Sequence, residues 1–459
     1  MSPLGYPCTW LKISGVNKLV IRLKKRGTPY GVKVPESKLS EGSPIEPAPL
    51  PEKVIIPLQQ NIGAPCQALV KRGDRVLTGQ KIGDSEKFVS APVHATLSGE
   101  VTGTTVVVNP PTGALVEALV ITSDGEDKWV ELEAPKKPEA LSVKEILERI
   151  REAGLVGLGG AAFPTHVKLS PPKDKKIDTV ILNGCECEPY VTSDHRLMLE
   201  QGERVLSGLN IIKKVLSPEA VYVAIEDNKE DAIDHMEGLI ASLGFEDFKI
   251  VPLKSKYPMG AEKTLIDMIL GREVPIGGLP LDVGVVVHNV STAKAIHDAI
   301  IDGKPLIERV VTVTGAVATP KNLLTRFGTS LRNLIEYCGG MDGKANKVIL
   351  GGPMMGIAQF DLDFPVVKGT NSVLVTEGTP IREQDCISCG KCIEICPMRL
   401  MPTVLARYAK AGRYDECKEA YIDDCFECGA CSYTCPANIP IVQYIKVAKK
   451  ELAKRAASK

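Results

Sequence analysis

Net charge is missing from this sequence. Its 56 lysines and arginines balance 56 acidic residues, so no overall field draws the chain to nucleic acid. Aromatic residues make up only 5%, and no basic stripe interleaves with them to offer bases a stacking surface. No apolar run reaches the length of a membrane-spanning helix, and no charged-then-apolar leader with a small-residue cleavage site is present. A secreted-type cysteine framework is missing too. Cys8, Cys66, Cys185, Cys187, Cys338 and Cys417 do not form one, which fits a reducing, cytosolic compartment. What remains is a chain of 459 residues, expected to hold about three or four domains and to bind no nucleic acid.

The other eight of the 14 cysteines stand in two copies of one motif. These are Cys386-x2-Cys389-x2-Cys392-x3-Cys396-Pro397 and Cys425-x2-Cys428-x2-Cys431-x3-Cys435-Pro436. A 4Fe–4S cluster needs four soft thiolates arriving from several directions. Three on one tight loop supply three of them, and in two-cluster ferredoxins the last cysteine of each run reaches the other cluster. The spacing therefore assigns Cys386, Cys389, Cys392 and Cys435 to one cluster, and Cys425, Cys428, Cys431 and Cys396 to the second. Pro397 and Pro436 fix φ and turn the chain away from each loop. Structural zinc is the alternative, but it takes two pairs of ligands rather than two runs of four.

Taken in order, the chain opens with a basic stretch, 1–28, holding Lys12, Lys18, Arg22, Lys24, Lys25 and Arg26. It is expected to be a solvated, partly ordered extension, with a membrane-surface or docking arm as the alternative. Pro35 to Pro51 is proline-rich and predicts an extended lead-in. From Val54 to about Val130, short apolar runs broken by glycine turns predict a compact β domain. Ser142-Val-Lys-Glu145 is a capping box that opens a helix over Val143–Ala153. A glycine-rich loop follows, Gly157-Leu-Gly159-Gly160-Ala-Ala-Phe163-Pro164, with Lys168 beyond it. It comes after a helix rather than a strand, so it is not the Rossmann fingerprint, but its N–H groups can still face a phosphate with Lys168 as counter-charge.

The run Asp178–Leu182 reads as a buried parallel strand ending in Asn183-Gly-Cys185-Glu186-Cys187-Glu188. The strand AVYVAIE and helices over Ser193–Leu216 and Lys229–Leu243 continue a doubly wound α/β pattern. Cys185-x-Cys187 is too tightly spaced for an ordinary chelate loop and reads as small pocket-lining residues. Tyr257-Pro-Met-Gly260-Ala-Glu262 precedes a helix over Leu265–Gly271, and the strand Val283–Val287 ends in His288-Asn289-Val-Ser-Thr292. Polar residues at the carboxyl ends of strands are where such a sheet places its ligand, so these loops and the glycine loop are expected to line one crevice.

These segments carry a resemblance. GLGGAAFPTHVKL, NGCECEP, YPMGAEKTL and HNVSTA are similar to the flavoprotein subunit of respiratory complex I, which binds FMN and NADH. Val54–Val130 resembles the barrel-sandwich hybrid of biotinyl and lipoyl carriers, although its hairpin tip, Ala91–Ala95, has no lysine for a prosthetic group, and His94 there reads as a structural turn residue. Residues 305–375 resemble the β-grasp SLBB domain, here taken as a spacer. The whole order, over residues 29–445, resembles the RnfC family of Rnf electron transport complexes.

The resemblance implies a multidomain α/β and β chain: a basic extension (1–28), a barrel-sandwich hybrid (29–134), an FMN/NADH-binding α/β domain (135–304), an SLBB-like β-grasp domain (305–378) and a helical two-cluster ferredoxin domain (379–459). It implies that Gly157, Gly159, Gly160 and Lys168 shape the isoalloxazine and phosphate pocket. Asn183 and Glu186 are to bond the flavin, and Asn289 and Thr292 its ribityl phosphate. Phe163, Glu188 and Glu262 are to line the NADH side, the two glutamates positioning nicotinamide and ribose as the candidate catalytic pair. The complex I loop has an acidic residue where Cys185 stands and an asparagine where His288 stands.

The implied activity is that of an oxidoreductase exchanging electrons between NAD(H) and one-electron carriers through non-covalent FMN and two 4Fe–4S clusters. The implied setting is peripheral, on the cytoplasmic face of the cell membrane. Its implied partners are a ferredoxin-like subunit and integral membrane subunits that pump ions. Two other readings are a soluble NADH-dependent reductase resembling cobalamin reductase, in which the flavin-type domain comes first, and a docking subunit that wires electrons without nicotinamide.

Overall fold

The computed structural model describes residues 8–12, 19–23, 27–109, 113–132, 136–378 and 382–457. Its central sheet places four parallel strands in the order Phe248–Leu253, Ala220–Glu226, Thr179–Gly184, Val285–Asn289. Their valine- and isoleucine-rich sequence suits strands covered on both faces, and Val180, Ile181, Leu182, Val223 and Ile250 are fully buried. The helices Ser193–Leu216 and Val290–Ile301 pack closely. A Cβ at Gly208 would lie 1.7 Å from the carbonyl of Ala293, so only glycine permits this approach. The chain leaves Thr179–Gly184 toward one side of the sheet and returns with Val285–Asn289 on the other. That reversal is a topological switch point, where a crevice opens at the carboxyl ends of the two strands.

The basic stretch departs from expectation. Cys8–Lys12 and Leu19–Leu23 form an antiparallel pair, and the second strand joins Phe248–Leu253 in parallel. Arg22 reaches Asp234 and Glu237 on the helix Glu230–Leu243. The β-branched content of Leu19–Leu23 suits a strand paired on both sides, so this part of 1–28 belongs to the α/β sheet; Lys18, Lys24, Lys25 and Arg26 lie outside the described residues.

Residues 53–123 build a β sandwich from a four-stranded and a three-stranded sheet around Val54, Ile56, Ile82, Leu97 and Ile121. A six-stranded sheet with the helix Leu331–Tyr337 follows. The proline-rich lead-in supplies its edge strand, Ile45–Pro47, paired with Lys321–Arg326. The capping box at Ser142 and Glu145 forms as expected. The buried Lys368 donates to Pro92 O and Gly154 O at 2.7 Å each, and burial lowers its pKa to about 8. One ammonium thus ties the sandwich to the α/β unit. At the C-terminus the helices Pro402–Lys410, Tyr414–Glu419 and Ile441–Ala457 pack around Leu405, Cys417, Ile422 and Ile445, so Cys417 is a buried thiol. Cys66 and Cys338 are also buried. Among the described residues no helix is long and apolar enough to cross a membrane.

Candidate functional site

At the switch point, Asn183 and Asn289 end neighbouring strands in register. The Asn183 amide donates to Gly260 O at 2.9 Å and its carbonyl accepts from Cys185 N at 3.0 Å. Asn289 caps its helix by accepting from Ser291 N at 2.8 Å and donates to Asp194 at 2.6 Å. Thr292 accepts from Leu158 N at 2.9 Å, which fixes the glycine loop beside the switch point. Gly157 closes that loop by donating to Phe163 O at 2.8 Å. Gly159 and Gly160 are exposed; a Cβ at Gly159 would press on Asn289 at 3.3 Å, while Gly160, at φ 121°, faces open space. Among the described residues, no backbone carbonyl meets the N–H groups of Gly159, Gly160 and Ala161. Exposed, unpaired donors fit an anionic group, and the short helix Thr165–Lys168 that follows carries an ammonium.

The acidic candidates are engaged by protein. Lys168 and Glu262 form an ion pair. Glu186 accepts from Ser193 Oγ at 3.0 Å, Asp194 N at 2.8 Å and His195 N at 3.2 Å. It therefore satisfies the start of the helix Ser193–Leu216, where N–H groups and the helix dipole favour a carboxylate. Glu188 accepts from Met354 N at 3.1 Å and Met355 N at 2.8 Å. Burial pushes its pKa up to about 7 despite those two donors. His288 is buried with its Nε2 unpartnered, and burial, with Lys168 nearby, holds it neutral. Cys185 is buried, and burial raises its thiol pKa strongly.

Three residues outside the expected set shape this region. Lys38 donates to Glu186 O, Glu188 O and Val191 O at 2.9, 2.9 and 2.7 Å, holding the 186–191 loop in shape. Asp194 holds Asn289 and Ser291, and burial beside Glu186 raises its pKa to about 6. Tyr257 donates to Cys428 O at 2.6 Å. Tyr257 stands inside the YPMGAEKTL segment, whereas nothing in the sequence pairs Lys38 with a loop about 150 residues away.

The motif cysteines gather in two groups. An apolar pocket is lined by Cys396, Cys425, Cys428 and Cys431, with Ile395, Leu400 and Ile445 around it. Burial first, and then Cys425 and Cys396, push the Cys428 thiol up to about 12. Cys392 is likewise raised first by burial and then by Cys435 and Cys386. Four thiols facing one apolar pocket fit a cubane, and Cys435 and Cys386 are the motif thiols near enough to Cys392 to raise it. The halves share backbone detail: Ser388 and Glu427 have φ of 55° and 62°, Gly390 and Gly429 of 76° and 77°, Arg399 and Asn438 of 54° and 52°.

Comparison with known proteins agrees with this assembly. Residues 27–126 match the RnfC barrel sandwich hybrid domain, 150–298 the Nuo51 FMN-binding domain, 310–358 the SLBB domain and 383–439 the 4Fe-4S dicluster domain. The C subunit of the proton-translocating ferredoxin:NAD(+) oxidoreductase complex of Clostridium ljungdahlii is 50% identical over 90% of this chain and 91% of its own length. The Na(+)-translocating counterpart of Acetobacterium woodii is 46% identical over 88% and 91%. The C subunit of the ion-translocating oxidoreductase complex of Rhodobacter capsulatus is 43% identical over 90% and 81%. With its flavin-type crevice and doubled thiol sets in this order, the chain belongs to the RnfC family.

Proposed function

We propose that this chain exchanges electrons between NAD(H) and one-electron carriers as a peripheral subunit of a membrane-bound, ion-translocating ferredoxin:NAD(+) oxidoreductase, on the cytoplasmic face. The observation that carries the reading is the Tyr257–Cys428 hydrogen bond, which joins the crevice loop 257–262 to a cluster loop. FMN, when bound, supplies the conversion between a two-electron hydride and the single electrons that iron–sulfur clusters carry. The residues supply the rest. The N–H groups of Gly159–Ala161 and the Lys168 ammonium hold the phosphate, with Thr292 and Asn289 keeping the loop in place. Asn183 fixes the Gly260 carbonyl and so the floor of the crevice. Phe163, Glu188 and Glu262 are the residues for the nicotinamide side, Glu262 after releasing Lys168. Cys386, Cys389, Cys392 and Cys435, and Cys425, Cys428, Cys431 and Cys396, hold the two clusters. Neighbouring members of the complex, a ferredoxin-like one and membrane-embedded ones, exchange electrons with these clusters.

A second reading, a protein that passes electrons without nicotinamide, draws on Glu188 being bonded to Met354 and Met355. One experiment separates the two. Protein prepared without oxygen is expected to contain about eight irons and one FMN, and NADH is expected to bleach that flavin stoichiometrically. Iron and flavin present with no response to NADH overturns the first reading in favour of the second.

A further inference from the structure

The glycine loop closes on itself between Gly157 N and Phe163 O, and its carbonyls are met from outside the α/β unit. Arg309 stands on the strand Glu308–Gly315 of the six-stranded sheet and is only 4% exposed. One terminal nitrogen of its guanidinium donates to Leu158 O at 3.0 Å, the other to Lys368 O at 2.7 Å. Arg309 therefore ties the glycine loop to the turn 367–370, which Thr370 Oγ1 closes by accepting from Val367 N at 3.2 Å. That turn backs the loop directly, since a Cβ at Gly369 would lie 3.3 Å from Gly160 O. From the β sandwich, the Ile62 N–H donates to Ala162 O at 3.1 Å. A buried guanidinium needs partners of this kind to offset its lost hydration. Burial pulls its pKa down to about 10, while Asp194 and then Glu186 favour its charge.

Peptide geometry converts these contacts into direction. In a planar trans peptide the carbonyl and the next N–H point opposite ways. Holding Leu158 O toward Arg309 turns the Gly159 N–H away from it, and backing Gly160 O with Gly369 turns the Ala161 N–H away from the 367–370 turn. These are two of the loop's three unpaired donors. We infer that Arg309, with the 367–370 turn beside it, is a positioning residue that aims the N–H groups of Gly159 and Ala161 at a phosphate monoester, so that the six-stranded sheet is part of the anion site rather than a spacer. The fork matters as well as the charge. A guanidinium spreads its donors across two carbonyls in one rigid plane, which an ammonium does not reproduce. The inference rests on the proposed function in one respect, that this loop receives the phosphate of FMN.

The test compares two ligands that differ by that phosphate alone, FMN and riboflavin, on the full chain prepared without oxygen and stripped of flavin. Quenching of flavin fluorescence gives both dissociation constants, and the wild-type chain is expected to favour FMN. Arg309→Lys keeps the charge and loses the fork. It is expected to lower the preference for FMN about tenfold, with riboflavin binding little changed. General loosening of the pocket weakens both ligands together, so the ratio separates aiming from stability. Gly369→Val leaves Arg309 in place and presses on Gly160 O instead; it is expected to lower the same ratio, and it decides the matter if Arg309→Lys does not fold. An unchanged ratio in the folded Arg309→Lys chain, or in Gly369→Val where that chain does not fold, overturns the assignment, as does parallel weakening of the two ligands. A wild-type chain that binds both equally, or neither, overturns it as well. That failure belongs to the phosphate site of the proposed function, and it is recognised by appearing without any substitution.

Discussion

The halves of the ferredoxin unit are one motif in two surroundings. Their short helices, Lys391–Glu394 and Ala430–Tyr433, correspond, as do the positive-φ pairs Ser388/Glu427, Gly390/Gly429 and Arg399/Asn438. A repeat of this kind predicts equal partners. The structure makes them unequal because distant residues, on the crevice loop, the β-grasp sheet and the lead-in, close over the 425–431 thiol loop while the equivalent loop 384–389 stays exposed. Local sequence thus sets the geometry of each thiol loop, and long-range packing sets its role.

Paired substitutions at equivalent positions break or sharpen that contrast. The largest effects are expected for the ligands. Cys428→Ala and Cys389→Ala should each lower the iron content from about eight to about four, since each removes one thiolate of one cubane. Cys428→Ala should also lower the thermal midpoint by several degrees more, because its loop is part of the packing around Tyr257; equal midpoints would deny that the cover matters. Next come the glycines. Gly390→Ala places a side chain at φ 76° with nothing within 4 Å, a cost of about 1 kcal/mol. Gly429→Ala meets the same strain at φ 77° and adds a contact of 2.7 Å with Met354 O, which should bring the loss to about 2–3 kcal/mol. Denaturant midpoints of the two variants measure the difference.

How much of this was legible follows the range of the interactions. The thiol loops, the capping box at Ser142 and the helix Ser193–Leu216 are encoded within a few dozen residues, and periodicity and spacing reveal them. The crevice was legible in outline, because Asn183 and Asn289 close apolar runs whose register the sheet aligns. The partners of Glu186 and Glu188 were not legible. A carboxylate in a polar loop reads the same whether it faces a ligand, caps a helix eight residues on, or holds a methionine loop from another domain. The basic start misled for a related reason, since its lysines outweigh the short strand Leu19–Leu23 that a distant sheet edge recruits.

Smaller effects probe the rim of the cover. Asp424 and Asp385 precede their motifs at equivalent positions, but Asp424 is buried and bonded to Lys263 and Gly277 while Asp385 is exposed. Asp424→Ala removes the partner of the Gly277 N–H and of the half-buried Lys263 ammonium and should cost about 1–2 kcal/mol; Asp385→Ala should stay within about 0.5 kcal/mol. Equal losses from the two would remove the asymmetry at this edge.

The smallest expected effect is a pH dependence belonging to one half alone. Glu188 holds the N–H groups of Met354 and Met355, the loop whose carbonyl backs Gly429. Burial raises this carboxyl from 4.5 to about 7 in the folded chain. The folded state therefore keeps a proton that the unfolded chain gives up at lower pH. The resulting stabilisation is complete below about pH 4.5 and is lost as pH rises through about 7. Between pH 6 and about 7.5 the loss amounts to about 1 kcal/mol. Glu188→Gln cannot titrate, so its unfolding midpoint should lack that component of the slope while retaining every other group's. Parallel slopes for the two proteins would mean that Glu188 is ionised in the folded chain as readily as in the unfolded one, and that the loop covering Gly429 is held by a solvated carboxylate rather than a buried one.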